Sequence, residues 1–280
     1  MAIHHTEDTF EGAGGLRLFG QRWRPEGEPH AVLAIVHGFG EHSGRYQNVV
    51  GHLVPKGHAV YGFDLRGHGR SPGQRGHIGS WSEYREDVRA FLRWVSARES
   101  GRPVFLFGHS MGGLIVLDYA LRHPEGLSGI IASGTPLNPG GVATPLLVAT
   151  ARILSRVWRT FPIHLKLAKG ALSRDPAVVS AYLADPLVHS QTTVRFGTES
   201  LDTIEWVKAH ASELRLPLLM VHGEADRINL VSGTRDFFEA VRVPDKKLFV
   251  VPGGHHEPHN DLGYELVLQE LETRLAPRSA

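Results

Sequence analysis

The chain contains no cysteine, so disulfide bonds, thiolate nucleophiles and cysteine-held metals are excluded. It also lacks an excess of charge of either sign. Thirty Lys and Arg stand against 29 Asp and Glu, and neither sign gathers into a block. Nucleic acid would call for a basic patch or stripe, so it is not an expected partner. No apolar run approaches the ~20 residues needed to cross a bilayer. Between Met1 and Trp23 no positive segment leads into an apolar one, so no secretory signal is expected. Internal repeats and low-complexity tracts are missing as well. What remains is 280 residues, 41% of them hydrophobic, which suffices for one large core with room for an inserted subdomain. A soluble, cytoplasmic protein is expected.

Short apolar runs recur at Ala31–Val36, His58–Phe63, Val104–Phe107, Leu127–Ala132, Leu218–Val221 and Lys247–Val251. Runs of this length, apolar on both faces, suit buried parallel strands. Helical stripes lie between several of them. Tyr84, Val88, Phe91, Leu92 and Val95 align within Trp81–Ala97, and Leu114–Arg122 continues the pattern. Strand alternating with helix implies an α/β architecture with a mostly parallel sheet. Before it, Phe10 and Leu16–Trp23 flank Gly12-Ala13-Gly14-Gly15 and read as an edge hairpin. The alternation breaks between about Pro136 and Glu205. That stretch is rich in proline and reads as helices and turns without clear strands. The expected organisation is a core of residues 1–135 and 206–280 with a cap of residues 136–205. Within the cap, Pro145–Phe161 is amphipathic. Arg152, Arg156 and Arg159 share one face, and Leu146, Leu147, Ile153, Leu154, Val157, Trp158 and Phe161 line the other. The oily face either packs on the core or meets a membrane or lipid surface.

The stretch "FLFGHSMGGLIVL", Phe105 to Leu117, places three glycines around one serine inside an apolar run. Gly108-His109-Ser110-Met111-Gly112 is G-x-S-x-G after a predicted strand and before a predicted helix. A sharp turn there pushes a nucleophile out over the sheet edge. Glycines two residues either side remove side chains that would collide with the turn. The helix N-terminus favours a developing negative charge. Ser110 is therefore the candidate nucleophile.

A serine hydroxyl needs a base, and the base needs an orienting acid. In this architecture the acid and then the base follow the serine along the chain. The loop after Leu218–Val221 offers Asp226, with Glu224 as a competitor. The loop after Lys247–Val251 offers His256, with His255 and His259 as competitors. Spacing alone does not separate His255 from His256. Val36-His37-Gly38-Phe39-Gly40 follows an early strand. The N–H of Phe39, with that of Met111 just after the nucleophile, would supply an oxyanion hole.

Other motifs carry less. His256-Glu257-Pro258-His259 is one residue short of H-E-x-x-H, and Pro258 opposes the helix that motif needs, so no metal is expected. Gly38, Gly40 and Gly44 miss the dinucleotide spacing, so no cofactor is expected. Asp64 and the Gly67-His68-Gly69 turn shape a loop after a strand.

The segments "HGFGEHSGRY" (His37–Tyr46), "DLRGHGRSPG" (Asp64–Gly73), "GHSMGG" (Gly108–Gly113), "HGEADRI" (His222–Ile228) and "PGGHHEPHND" (Pro252–Asp261) resemble the α/β-hydrolase family. More narrowly, they resemble monoacylglycerol lipases and lysophospholipase-type relatives. "SRDPAVVSAYLADPLVH" (Ser173–His189) resembles the cap of bacterial members. The resemblance implies an α/β-hydrolase fold with an inserted helical cap. It makes Ser110 the nucleophile, Asp226 the acid and His256 the base, with Phe39 and Met111 as backbone donors. It also implies that Glu41, Arg45 and His259 lie near a glycerol head group. Two residues depart from the pattern. Phe39 stands where a small or aliphatic residue is common, and His255 where an aromatic is common. The implied activity is hydrolysis of monoacylglycerol to fatty acid and glycerol through an acyl-enzyme. The alternatives are a short-chain carboxylesterase or lysophospholipase on the same fold, and a non-catalytic receptor that binds a small ligand.

Overall fold

The six apolar runs of the sequence form the six parallel strands of one eight-stranded sheet. The computed structural model of the chain describes residues 3–139, 145–164 and 170–276, with the side chains of 145–147 outside that description. In chain order the sheet strands are β1 (His4–Glu11), β2 (Arg17–Arg24), β3 (Val32–Val36), β4 (Ala59–Phe63), β5 (Val104–His109) and β6 (Gly129–Ser133). Two short strands follow, β7 (Pro162–His164) and β8 (Gln191–Thr193), before β9 (Leu218–Gly223) and β10 (Lys246–Val251) return to the main sheet. The sheet order is β1-β2-β4-β3-β5-β6-β9-β10. Only the β1–β2 hairpin and its junction with β4 are antiparallel.

The period of two along each strand sorts side chains between two cores. Val32, Ala34, Val36 and Leu106 face one layer, while Leu33, Ile35, Phe105 and Phe107 face the other. Helices α1 (Gln47–Leu53), α2 (Ser82–Ser96) and α3 (Met111–Arg122) cover the sheet, with α7 (Val231–Ala240) and α8 (Tyr264–Leu275) further along. Tyr84, Val88, Phe91 and Val95 of α2 lie in the first core together with Leu114 to Leu117 of α3. Val49, Val50 and Leu53 of α1 meet Val267, Leu268 and Leu271 of α8 in the second. Helix α3 is buried from Met111 to Ala120, so it begins and runs inside the molecule.

Between β6 and β9 the chain leaves the main sheet. It forms α4 (Pro145–Val157), α5 (Pro176–Ala184) and α6 (Val194–Ala209). Helix α5 starts on Asp175, whose carboxylate accepts from Ala177 N–H at 2.8 Å, with Pro176 in the first turn. Helix α6 starts on Thr193, whose hydroxyl accepts from Phe196 N–H. Two features differ from the sequence reading. The stretch does contain strands, because β7 and β8 pair antiparallel with Ile163 opposite Thr192. The expected cap boundary at 205 also falls inside α6, a continuous helix whose Phe196, Ile204 and Val207 belong to the sheet-side core.

The inserted segment is tied down mainly at its second half. His189 N–H donates to Gly40 O at 2.9 Å, and His42 bonds Asp185 at 2.8 Å. The Thr192 hydroxyl donates to Gly76 O at 3.3 Å. The orientation of helix α4 bears on the two readings of its oily face. Among its described side chains Ser155 is the buried one, and it bonds Thr198 of α6 at 3.0 Å. Ile153, Val157 and Trp158 are 65%, 78% and 55% exposed. Of the two readings, packing on the core does not hold for these three. The helix meets α6 through Ser155, sets Val148 and Ala151 on the cavity wall, and turns Ile153 and Val157 outward. Leu146 and Leu147 lie outside the described side chains.

Candidate active site

Ser110 joins β5 to α3 with φ 51° and ψ −121°. Among the described residues it is the one non-glycine with positive φ. Its N–H is anchored on Ser133 O at 2.8 Å. The glycines around it leave room for close backbone passage. A Cβ on Gly108 would lie 2.2 Å from Gly112 O, and one on Gly112 would lie 2.1 Å from Val36 O. No side chain fits at either place, so the turn can be this tight only with glycine at both.

The His256 Nε2 lies 3.0 Å from Ser110 Oγ, and its Nδ1 lies 2.8 Å from Asp226 Oδ2. Asp226 is buried, which by itself raises a carboxyl pKa. Hydrogen bonds from His222, His256 and the Asn229 N–H outweigh burial and hold it well below the usual range. Its Oδ1 accepts from the N–H of Ile228 at 2.8 Å and of Asn229 at 3.0 Å. An ionised Asp226 only accepts, so the neutral ring carries its proton on Nδ1. That leaves the Nε2 lone pair facing the serine hydroxyl. Behind Asp226, the His222 Nε2 lies 2.8 Å from Asn229 O and 3.3 Å from Asp226 Oδ2, and the Thr234 hydroxyl lies 2.7 Å from Nδ1.

The competitors are placed elsewhere. The Glu224 carboxylate accepts from Gly253 N–H at 3.0 Å at the surface. The His255 backbone N–H donates to Asp261 at 2.8 Å, and its ring Nδ1 has no partner among the described residues. Phe39 and Met111 both line the cavity that contains Ser110. Met111 opens α3, where N–H groups have no intrahelical acceptor. The Phe39 N–H has no acceptor among the described residues.

The cavity measures about 990 Å³. Much of its wall is apolar, including Trp81, Met111, Leu114, Phe196, Leu201 and Ile204. Phe39 does not stand alone in the cavity wall. Its ring is boxed by His68, His189 and Phe196, with centroids at 5.6, 5.6 and 5.2 Å. The polar wall is one connected network. Arg45 forks onto both oxygens of Glu257 at 2.6 and 2.9 Å, reaches Glu41 at 2.7 Å, and lies 4.7 Å over the Tyr182 ring. Among the described residues no group of three or more His, Cys, Asp or Glu is arranged to hold a metal ion.

Of the three residues expected at a head group, Glu41 and Arg45 line the cavity. His259 does not. It is 0% exposed, stacked on Tyr46 at 4.9 Å and set edge-on to His109 at 4.8 Å. Burial drives its pKa down to about 3, so the ring is neutral and inside the core. The head-group expectation for His259 is therefore corrected. Sequence reasoning misses Glu257 and Tyr182. Nothing in the chain's spacing connects Glu257 to Arg45 across 212 residues, and charge complementarity alone hints at it.

A family model described as serine aminopeptidase, S33, matches residues 27–263. The chain is 37% identical over 267 residues to a monoacylglycerol lipase of Mycolicibacterium smegmatis, covering 95% of each chain. It is 33% identical to the human monoglyceride lipase, covering 89% of this chain and 83% of that one. The crystal structure of the Paleococcus ferrophilus monoacylglycerol lipase superposes with a TM-score of 0.81 at 31% identity, covering 98% of this chain and 100% of the other.

Proposed function

Because the chain belongs to the family described as serine aminopeptidase S33 and has the α/β-hydrolase fold, we propose that it hydrolyses monoacylglycerols to fatty acid and glycerol. Ser110 attacks the ester carbonyl while His256 takes its proton, held in the productive tautomer by Asp226. The carbonyl oxygen develops its charge against the N–H groups of Phe39 and Met111. Glycerol leaves with the proton from His256, and water then attacks the acyl-enzyme by the same route.

One observation carries this reading. The hydrogen-bonded line Ser110–His256–Asp226 meets a cavity that is mostly apolar with one polar side. Each methylene of an acyl chain buried there contributes ~0.8 kcal/mol. The polar side also bears on the substrate. An aminopeptidase needs a carboxylate free to hold the substrate ammonium, whereas Glu41 and Glu257 are both spent on Arg45. Phosphodiester head groups meet three carboxylates, Glu41, Asp185 and Glu257, against one guanidinium. An uncharged polyol fits that balance better.

Residues 136–205 serve as a cap, with α6 shared between cap and core. The outward Ile153, Val157 and Trp158 form a contact with lipid surfaces, with Leu183 and Ile163 at the cavity rim, 68% and 36% exposed. Among the described residues no helix is long and apolar enough to cross a membrane.

The test combines a covalent probe with a substrate panel. A fluorophosphonate should form one adduct, at Ser110, and Ser110→Ala should abolish both the adduct and turnover. Long-chain monoacylglycerol should be cleaved with higher kcat/KM than p-nitrophenyl butyrate or lysophosphatidylcholine. Labelling that persists in Ser110→Ala, or a preference for the lysophospholipid, would overturn the reading.

A further inference from the structure

We propose that Glu41 and His37 are positioning residues that set the Gly38–Phe39 peptide as an oxyanion donor. Glu41 is accordingly not a head-group ligand. The inference rests on the oxyanion role given above to Phe39 N–H.

Both polar atoms of Gly38 are held by side chains of its own loop. The Gly38 N–H donates to Glu41 Oε1 at 2.6 Å, and Gly38 O lies 2.7 Å from His37 Nδ1. The tautomer of His37 follows from its other nitrogen. Nε2 lies 2.9 Å from the N–H of Leu65, and a main-chain N–H only donates. Nε2 is therefore bare, the proton sits on Nδ1, and Gly38 O accepts it. The peptide joining Gly38 to Phe39 is planar, with C=O and N–H pointing opposite ways. Fixing the Gly38 oxygen toward His37 thus fixes the direction of the Phe39 N–H. The Glu41 bond does the same for the preceding peptide. Two successive peptide planes are clamped where a donor has to stand ready before charge develops.

The clamp residues have nothing left over for a substrate. Glu41 is 2% exposed and His37 is 0% exposed. Glu41 Oε1 takes the Tyr46 hydroxyl at 2.9 Å as well as Gly38, and Oε2 takes Arg45 at 2.7 Å. The neighbouring Arg45 holds the Glu41 carboxyl well below the usual range against the opposing effect of burial, so it stays an acceptor. Arg45 is in turn forked onto Glu257, which directly follows His256 in the chain. One charge network thereby joins the loop that carries the oxyanion donor to the loop that carries the base. Its consequence for Glu41→Gln is specific. Glutamine offers one oxygen and one NH2 group. Whichever way it turns, a donor faces either Gly38 N–H or Arg45.

The test uses two esters that share an acyl-transfer step and differ in alcohol. Monoacylglycerol carries the glycerol head, and p-nitrophenyl butyrate does not. Glu41→Gln should lower kcat by roughly 100-fold on both, with KM changed about threefold or less. Affinity for an alkyl trifluoromethyl ketone, which forms an oxyanion on the serine, should fall in parallel. Affinity for a 1-O-alkylglycerol ether, which cannot react, should hold. Glu41→Asp keeps the charge beside Arg45 but is one methylene too short to reach Gly38. It should show the same pattern, and it carries the test should Glu41→Gln not fold. A raised KM confined to monoacylglycerol, with p-nitrophenyl butyrate untouched, would make Glu41 a head-group ligand and overturn the inference. An unchanged kcat on both esters in a folded variant would overturn it too. Failure of the wild-type protein to cleave either ester would instead sink the proposed function, so the two failures are distinguishable.

Discussion

Ser110 holds a backbone conformation that costs an ordinary residue on the order of 1–3 kcal/mol. Its surroundings enforce the strain through the Ser133 carbonyl and through contacts that exclude any side chain at Gly108 and Gly112. The sequence carries this directly, because G-x-S-x-G between an apolar run and a helix has few other uses. It does not carry depth. His255, His256 and His259 are interchangeable on paper. In the fold one ring bridges Ser110 and Asp226, one is half-buried with its Nδ1 unpartnered among the described residues, and one is sealed under Tyr46. These placements predict distinct losses. His256→Ala should lower kcat by roughly 10⁴- to 10⁶-fold, as removal of a triad base does elsewhere. His255→Ala should cost tenfold or less, because the ring that bridges Ser110 and Asp226 is His256. Steady-state kinetics on p-nitrophenyl butyrate check both. A dead His255→Ala beside an active His256→Ala would move the base by one residue.

Helix α4 illustrates what periodicity does and does not determine. Its apolar and basic residues fall at helical spacing, and the helix exists. Which stripe turns inward depends on what it lands on, and that is not written locally. It lands on α6 through Ser155 and Thr198, with Arg152 bonding Asp202 at 2.6 Å alongside. Ile153, Val157 and Trp158 are left facing outward. The β7–β8 pair is invisible for a related reason. Each strand is three residues long and joins positions some thirty residues apart, too little for an alternation signal. The outward face predicts a separation of two activities. Ile153→Asp combined with Val157→Asp should reduce flotation with phosphatidylcholine vesicles and slow hydrolysis of vesicle-borne monoacylglycerol by roughly tenfold or more. Each large apolar side chain withheld from lipid forfeits on the order of 1 to 2 kcal/mol. Cleavage of dissolved p-nitrophenyl butyrate should stay within about twofold, because exposed substitutions disturb the fold little. Equal losses on both substrates would make the face a structural support only.

At the scale of the whole molecule, the sheet and its crossovers were legible because buried parallel strands are continuous apolar runs closed by polar loops. The collection of histidines that the fold buries was not. His37, His68, His109 and His259 are between 0% and 2% exposed. Burial lowers the pKa of His37 and His68 and pushes those of His109 and His259 down to about 3. The folded protein keeps these rings neutral, while the unfolded chain takes up protons below about pH 6.5. The unfolded state therefore binds more protons, and stability falls as pH falls through that window. His109 and His259, whose pKa values lie near 3, each contribute up to about 1.4 kcal/mol per pH unit within that window. The depressed carboxyls of Glu41 and Asp226 add a loss of the same sign, but only below about pH 4.5. Urea midpoints should thus be flat above about pH 7 and decline steadily between about pH 6.5 and pH 4.5. A midpoint that holds level across that interval would mean the rings are solvated rather than sealed. The exposed side chains of the cap lead in another direction. Leu183 and Ile163 belong both to the cavity wall and to the outer surface. An acyl chain lying in a lipid layer against them would slide from hydrocarbon into protein without an intervening aqueous leg. The effective dose of substrate would then be its crowding within the layer, a quantity per unit area. Diluting the same lipid among inert neighbours would starve the enzyme even with the total amount in the tube unchanged.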